Sequence, residues 1–334
     1  MGVINAGLSS TLYPQARSLN PLPSGVTTLL VGAFALVAST FPQAGPPESK
    51  PWINQIRVAG DTVWFEGDRG SDSLPVRYCL ARRRGNWCKT PRADRVEVTG
   101  IQVPRAGADS VVLTPGLALV CRPPIPAEAE CASFSLRAHG DTSLYPLVPR
   151  AGAATLKMLQ RASGLETDEP PGMSESITAW AAGKNVVWFG LGGGFPEGYG
   201  AYGGLLRFDR TRRTLETIVH AGLASATITG LAIDGDTLWV GTFHPAELGP
   251  VGSTGVLCRD LRTGRWTTLD AEGAWLPDRI IHAIAAHDGM LYIATSEGLA
   301  AFDTRSARWS VRYFSRKTAG GSVRYELVAK RPRD

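Results

Sequence analysis

The 334-residue chain predicts an all-β fold, a β-propeller of about five to six four-stranded antiparallel blades behind an N-terminal signal or anchor segment. Three observations carry this prediction. One sequence pattern returns about every fifty residues, each copy holds an aromatic at the same place, and Gly/Asp turn signals separate short alternating apolar runs.

Four copies are clear. They are INQIRVAGDTVWFEG followed by RYCLARRRGNWCKT, ITAWAAGKNVVWFGL followed by GLLRFDRTRRTLETI, ITGLAIDGDTLWVGT followed by GVLCRDLRTGRWTTL, and IHAIAAHDGMLYIAT followed by GLAAFDTRSARWSVR. The equivalent aromatics are Trp64, Trp188, Trp239 and Tyr292. The gap between Trp64 and Trp188 leaves room for a divergent copy. It is placed near VEVTGIQVPRAGADSVVLT, with SLYPLVPRAGAATLKML supplying its end. A further unit could come from this region or from SVRYELVAK near the C-terminus.

Each copy reads as four strands, a to d. The a–b turns are AGD, GKN, DGD and HDG, where Gly with Asp or Asn suits tight hairpins. The c–d turns open with Asp209, Asp260 and Asp303, whose short side chains can cap their own turn backbone. Trp87, Trp266 and Trp309 open the last strand, and large aromatics at fixed places fill the wedge between stacked sheets. A pair of β-sandwiches is the competing arrangement, and it would not demand a repeated Trp.

Composition agrees with a globular chain: 43 % hydrophobic, 19 % charged, and rich in turn formers with 38 Gly and 23 Pro. Net charge is +5. Residues 1–39 are expected to be a signal peptide or N-terminal anchor. Val26–Ala38 reads VTTLLVGAFALVA, short for a membrane span, with Arg17 upstream and a plausible cleavage point after Ser39. Residues 40–51 read as a linker, 52–328 as the propeller and 329–334 as a basic tail. The chain is therefore expected to be exported, to the periplasm or beyond. Five cysteines suit that setting: Cys79 with Cys88 and Cys121 with Cys131 could each close a short hairpin, leaving Cys258. The alternative is five reduced, buried thiols. No cysteine or histidine spacing indicates zinc, and no metal site or cofactor is expected.

The residues IxxLAIDGDTLWVGT…TGVLCRDLRTGRW, with GLLRFD and GLAAFD, resemble the two-component regulator propeller repeat. The resemblance covers about residues 170–315 well, 52–90 moderately, and 91–160 poorly. It implies a β-propeller sensor module outside the cytoplasm. No histidine-kinase segment is present in the sequence, so it carries over no kinase activity.

In such a blade the b–c and d–a loops share one face, because antiparallel neighbours reverse direction each time. The b–c loops are the long ones: DRGSDSLP, GLGGGFPEGYGAYG and FHPAELGPVGS. The Cys121–Cys131 excursion is expected to join them. Binding residues concentrate on long loops held by a rigid scaffold. The candidate binding set is therefore Phe195, Glu197, Tyr199, Tyr202, His244 and Glu247, with Trp275 and Asp278 from a d–a loop. The alternative is ordinary solvent loops whose aromatics pack down as lids. GYGAYG matches G-x-G-x-x-G at Gly198, Gly200 and Gly203, but it leads into a strand, not a helix that could hold a pyrophosphate.

The opposite face is basic, with Arg82, Arg83, Arg84, Arg210, Arg212, Arg213, Arg262, Arg265, Arg305 and Arg308 in c–d turns. An anionic surface would be attracted there, or the arginines simply form a solvated edge. No aromatic stripe interleaves them, and nucleic acid is not expected. No HExxH or GxSxG motif occurs, and no residue is assigned a catalytic role. The expected function is a non-enzymatic binding or sensor module recognising a ligand or an envelope protein partner. The competing class is a propeller lyase or hydrolase with a metal-assisted His/Glu pair, His244 and Glu247. VVWFG and TVWFE faintly resemble strands of the virginiamycin B lyase family, whose catalytic set cannot be placed here.

Overall fold

The computed structural model describes residues 3–5, 50–68, 75–87, 111–114, 117–122, 133–138, 144–164, 168–193, 201–243, 255–269, 275–319 and 322–332. Strand β1 is Val3–Asn5. The first sheet is β2 (Trp52–Ala59), β3 (Thr62–Asp68), β4 (Pro75–Ala81) and β5 (Asn86–Trp87). The second is β6 (Val111–Thr114), β7 (Leu117–Arg122), β8 (Ser133–Ala138) and β9 (Leu144–Pro146). Helix α1 (Ala153–Ser163) follows. The third sheet is β10 (Ile177–Ala182), β11 (Val186–Leu191), β12 (Leu205–Asp209) and β13 (Thr214–Ile218), with β1 antiparallel along β10. The fourth is β14 (Thr227–Asp234), β15 (Thr237–Phe243), β16 (Val256–Asp260) and β17 (Trp266–Leu269). The fifth is β18 (Ile281–His287), β19 (Met290–Thr295), β20 (Gly298–Asp303), β21 (Arg308–Ala319) and β22 (Ser322–Val328).

The fold is all-β with a propeller-like order. Four junctions between sheets are packed apolar cores: second to third, third to fourth, fourth to fifth, and fifth back to first. First strands lie side by side at three of them, β10 against β14, β14 against β18 and β18 against β2. The repeated aromatic explains the order. Trp188, Trp239 and Tyr292 each point into the junction with the following sheet and are almost wholly buried. Trp64, at the same place in the first sheet, is only half-buried, and the Arg77 guanidinium covers its ring at 5.0 Å. Glu66 beside it is buried and paired with Arg77 at 2.8 Å.

Strand a carries the same irregularity in every sheet. The a–b register slips between Ile53 and Gln55, Val112 and Thr114, Ile177 and Ala179, Ile228 and Gly230, and Ile281 and Ala283. A bulge bends the strand and turns the bypassed side chain away from its own ladder. At two of these places the side chain bonds to the next sheet: Thr178 Oγ1 donates to the Ile228 carbonyl at 2.7 Å, and Thr229 Oγ1 to that of Ile281 at 2.6 Å.

The expected turns are present. Asp209, Asp260 and Asp303 each accept two backbone N–H bonds from their own turn, at 2.8 to 3.2 Å. In Asp209, the Arg212 N–H is the main cause that holds the carboxyl below its ordinary range.

Two expectations are corrected. AGAATLKML is not the end of the divergent copy. That copy closes at Leu144–Pro146, and α1 begins at Ala153. Ala, Leu, Met, Lys and Gln are strong helix formers, and Gly164 ends the helix in the left-handed region at φ 70. SVRYELV adds no separate blade, since β22 pairs with β21 as a fifth strand. It serves as a clasp: the Tyr78 hydroxyl of the first sheet donates to the Tyr325 carbonyl at 3.1 Å, and Tyr78 packs on Phe314. No described helix is long and apolar enough to cross a membrane, and Val26–Ala38 lies outside the described residues.

Candidate functional site

The connections divide by length. Strand b to strand c runs through 69–74, 123–132, 192–204 and 244–255 in the first four sheets, whereas the a–b turns hold two or three residues. The fifth sheet alone has a short b–c turn, at Ser296–Glu297. All the long connections therefore leave from the same end of the sheets.

Phe195, Glu197, Tyr199, His244 and Glu247 lie outside the described residues. Tyr202 is described, and it is not on display. It is fully buried with Leu159 of α1 and Ala224, and burial pushes its phenol up, with Ser163 beside it opposing. Backbone bonds pin it from both sides: Tyr202 N donates to the Gly172 carbonyl and Ser174 N to the Tyr202 carbonyl, both at 2.9 Å. Gly203 is likewise structural. A Cβ there would lie 2.3 Å from the Ala226 carbonyl oxygen, and so would one at Gly193. Close backbone packing explains these two glycines of the Gly-rich segment. The sequence holds no local signal for this, because the stretch that forms the covering helix suits a strand as well as a helix by composition.

Trp275 is 57 % exposed at the same end of the sheets. Asp278 stands three residues on and accepts from Ile280 N at 2.5 Å. Burial pushes its carboxyl up, Glu297 adds to this, and Arg331 and Lys50 oppose it. Lys50 pairs with Glu297 at 2.6 Å. Arg331, from the expected basic tail, donates to the Pro277 carbonyl and lies over the Tyr313 ring.

A cluster the sequence did not single out lies beside these residues. His282 stacks on Trp52 with ring centres 3.7 Å apart, and Phe243 meets Trp52 edge-on at 6.3 Å. His282 occupies the bulge position that is Thr178 and Thr229 in the two preceding sheets. Phe243 ends β15, so the expected site residue His244 is the next residue in the chain. His282 Nε2 lies 2.8 Å from Ser296 Oγ, which has the form of a base beside a nucleophile. Its chemistry does not fit that role. The ring is 5 % exposed, Nδ1 has no hydrogen-bond partner, and burial lowers its pKa to about 3. A general base works best with a pKa near the operating pH and a third group to orient it. No group of three metal-binding side chains occurs among the described residues.

On the opposite face the arginines have company. Arg83 lies 3.7 Å from Asp61, Arg262 3.9 Å from Asp236, and Arg305 3.6 Å from Asp288, so aspartates of the a–b turns face several of the c–d arginines. Among the cysteines, Cys258 is a free, half-buried thiol that burial pushes up. Cys88 and Cys131 lie outside the described residues.

No family model matches the chain, and no curated protein matches it. Solved structures with some likeness include the extracellular domain of the hybrid two component system BT4673 from B. thetaiotaomicron, at 13 % identity and a TM-score of 0.36. The tricorn protease is at 9 % and 0.35, and PorZ of the type-IX secretion system of Porphyromonas gingivalis is at 12 % and 0.35. The matches cover 82 %, 78 % and 85 % of this chain but only 29 %, 26 % and 37 % of the respective structures. Likeness at this level carries no argument about this chain. The class is defined by the chain's own fold and site: an all-β, propeller-like repeat protein with its long connections gathered at one end.

Proposed function

We propose that the chain is an exported β-propeller of the two-component regulator propeller type, acting as a non-enzymatic binding or sensor module. It recognises a ligand or an envelope partner through the b–c loops. One observation carries the reading: four of five sheets lengthen the same connection, while the hairpins at the other end stay short. The contact set is Phe195, Glu197, Tyr199, His244 and Glu247 on the loops, with Trp275 and Asp278 beside them. Tyr202 serves as the buried anchor of its loop. The ring closes between the first and second sheets, where the half-buried Trp64 waits for cover. Export is supported by the apolar run Val26–Ala38. It suits disulfides Cys79–Cys88 and Cys121–Cys131.

The test is to shorten the chain within 194–200, sparing Gly193, Tyr202 and Gly203, and compare partner capture with the intact protein. Loss of capture at an unchanged melting temperature supports the reading. Metal-dependent turnover that disappears in His244→Ala or Glu247→Ala would replace it with a propeller lyase or hydrolase.

A further inference from the structure

At the end opposite the long loops, the first and fifth sheets enclose a cleft of about 380 Å³. Its polar lining includes Arg82, Tyr292 and Ser310, and its apolar lining includes Leu80, Met290 and Ala301. This volume suits a small organic molecule.

The polar side has unmet hydrogen-bonding capacity. Tyr292 is 1 % exposed; the Arg82 side chain lies beside its hydroxyl, and since a guanidinium can only donate, the hydroxyl's own hydrogen is left without an acceptor. Arg82 Nε is also buried and unpartnered, although Nη1 donates to the Gly60 carbonyl at 3.1 Å and Nη2 lies 3.5 Å from Asp288. Ser310 Oγ accepts from Trp87 Nε1 at 2.9 Å, and its own hydroxyl hydrogen is a third donor. Buried donors without partners are rare, since each has given up water for nothing. The phenol is particular to this junction among the clear copies with a buried aromatic here: the position of Tyr292 is Trp188 or Trp239 in the two preceding sheets, and Trp239 Nε1 is likewise buried without a partner.

We propose that this cleft binds the carboxylate of a small organic acid. Arg82 Nε, Tyr292 Oη and Ser310 Oγ donate to the carboxylate, and the Leu80, Met290 and Ala301 side receives the aliphatic part. Arg82 keeps its bond to the Gly60 carbonyl and loosens the longer 3.5 Å contact to Asp288 as the oxygens enter. A charged donor beside neutral ones gives strong, directional bonds to an oxyanion. Phosphate is the weaker candidate. Asp61 and Asp288 also line the cleft, and a phosphate near neutral pH brings up to about two negative charges against them.

The experiment titrates the full chain with butyrate, inorganic phosphate and chloride at fixed ionic strength, following tryptophan fluorescence, because Trp87 bonds directly to the cleft residue Ser310. Saturable binding of butyrate is expected, with phosphate and chloride weaker. Tyr292→Phe keeps the ring and removes only the hydroxyl, and it is expected to weaken butyrate at least tenfold without lowering the melting temperature. Ser310→Ala provides a second variant with the same expected direction. Absence of saturation by butyrate overturns the proposal, as does equal affinity in Tyr292→Phe and Ser310→Ala. Tighter binding of phosphate than butyrate overturns the carboxylate assignment.

Discussion

The hydroxyl of Thr229, in β14, donates a 2.6 Å hydrogen bond to the carbonyl of Ile281, in β18, and so joins two sheets that share no strand pairing. Thr178 does the same to Ile228 one junction earlier. The carbonyls are exposed to this bond because the bulge interrupts the ladder at that point. Replacing Thr229 with Val keeps the shape and leaves a buried carbonyl without this donor. The expected cost is about 1–3 kcal/mol in urea unfolding. An unchanged midpoint would show that the bond adds nothing to the junction.

The W-x-G pattern of strand b has a steric reason. A Cβ on Gly241 would lie 2.8 Å from Ile281 Cγ2, and one on Gly190 2.5 Å from Ile228 Cγ2. Gly241→Val should therefore push adjacent sheets apart and lower stability by about 1–3 kcal/mol, as overpacking does. A shortened Ile281→Ala partner should recover part of this loss, read as a non-additive double-mutant cycle in denaturant melts.

Helix α1 holds the base of the longest Gly-rich connection. Leu159 is fully buried against Tyr202. Leu159→Ala should cost about 2–5 kcal/mol if the cavity does not collapse. Amide exchange should rise first at Tyr202 and Gly203, whose N–H groups bond to Gly172 and Ala224. Protection at those amides equal to that of the parent would mean the helix does not anchor the segment.

His282 makes stability depend on pH. Its ordinary pKa is 6.5 and burial lowers it to about 3 in the folded protein. Above pH 6.5 the ring is neutral in both folded and unfolded chains, and its contribution is complete. Below that, the unfolded chain binds a proton that the folded chain does not. Stability then falls toward pH 3 at a rate approaching about 1.4 kcal/mol per pH unit from this residue. His282→Thr, which restores the residue type of the two preceding sheets, should flatten the profile between pH 6 and 4. An identical slope in both proteins would assign the acid loss to other groups.

Much of this architecture was legible in the chain. The fifty-residue recurrence, the placement of Trp188, Trp239 and Tyr292, and the Asp-capped turns follow from local chemistry, which repeats whenever the sequence repeats. The second sheet is only roughly legible, because its second strand, Leu117–Arg122, lacks the aromatic that marks the other copies. Helix α1 is not legible in the sequence, because a short apolar stretch with Ala, Leu and Met suits a helix or a strand about equally until its capping glycine is weighed.

The sequence by itself determined the repeat, the a-to-d strand order of its four clear copies and the end from which the long connections leave, since these depend on neighbours along the chain. Only the tertiary structure decided that Tyr202 faces inward, that His282 stacks on Trp52, and that Tyr292 and Arg82 share a cleft. Those pairs come from different sheets. Their contacts depend on which faces meet at a junction, and no local periodicity records that.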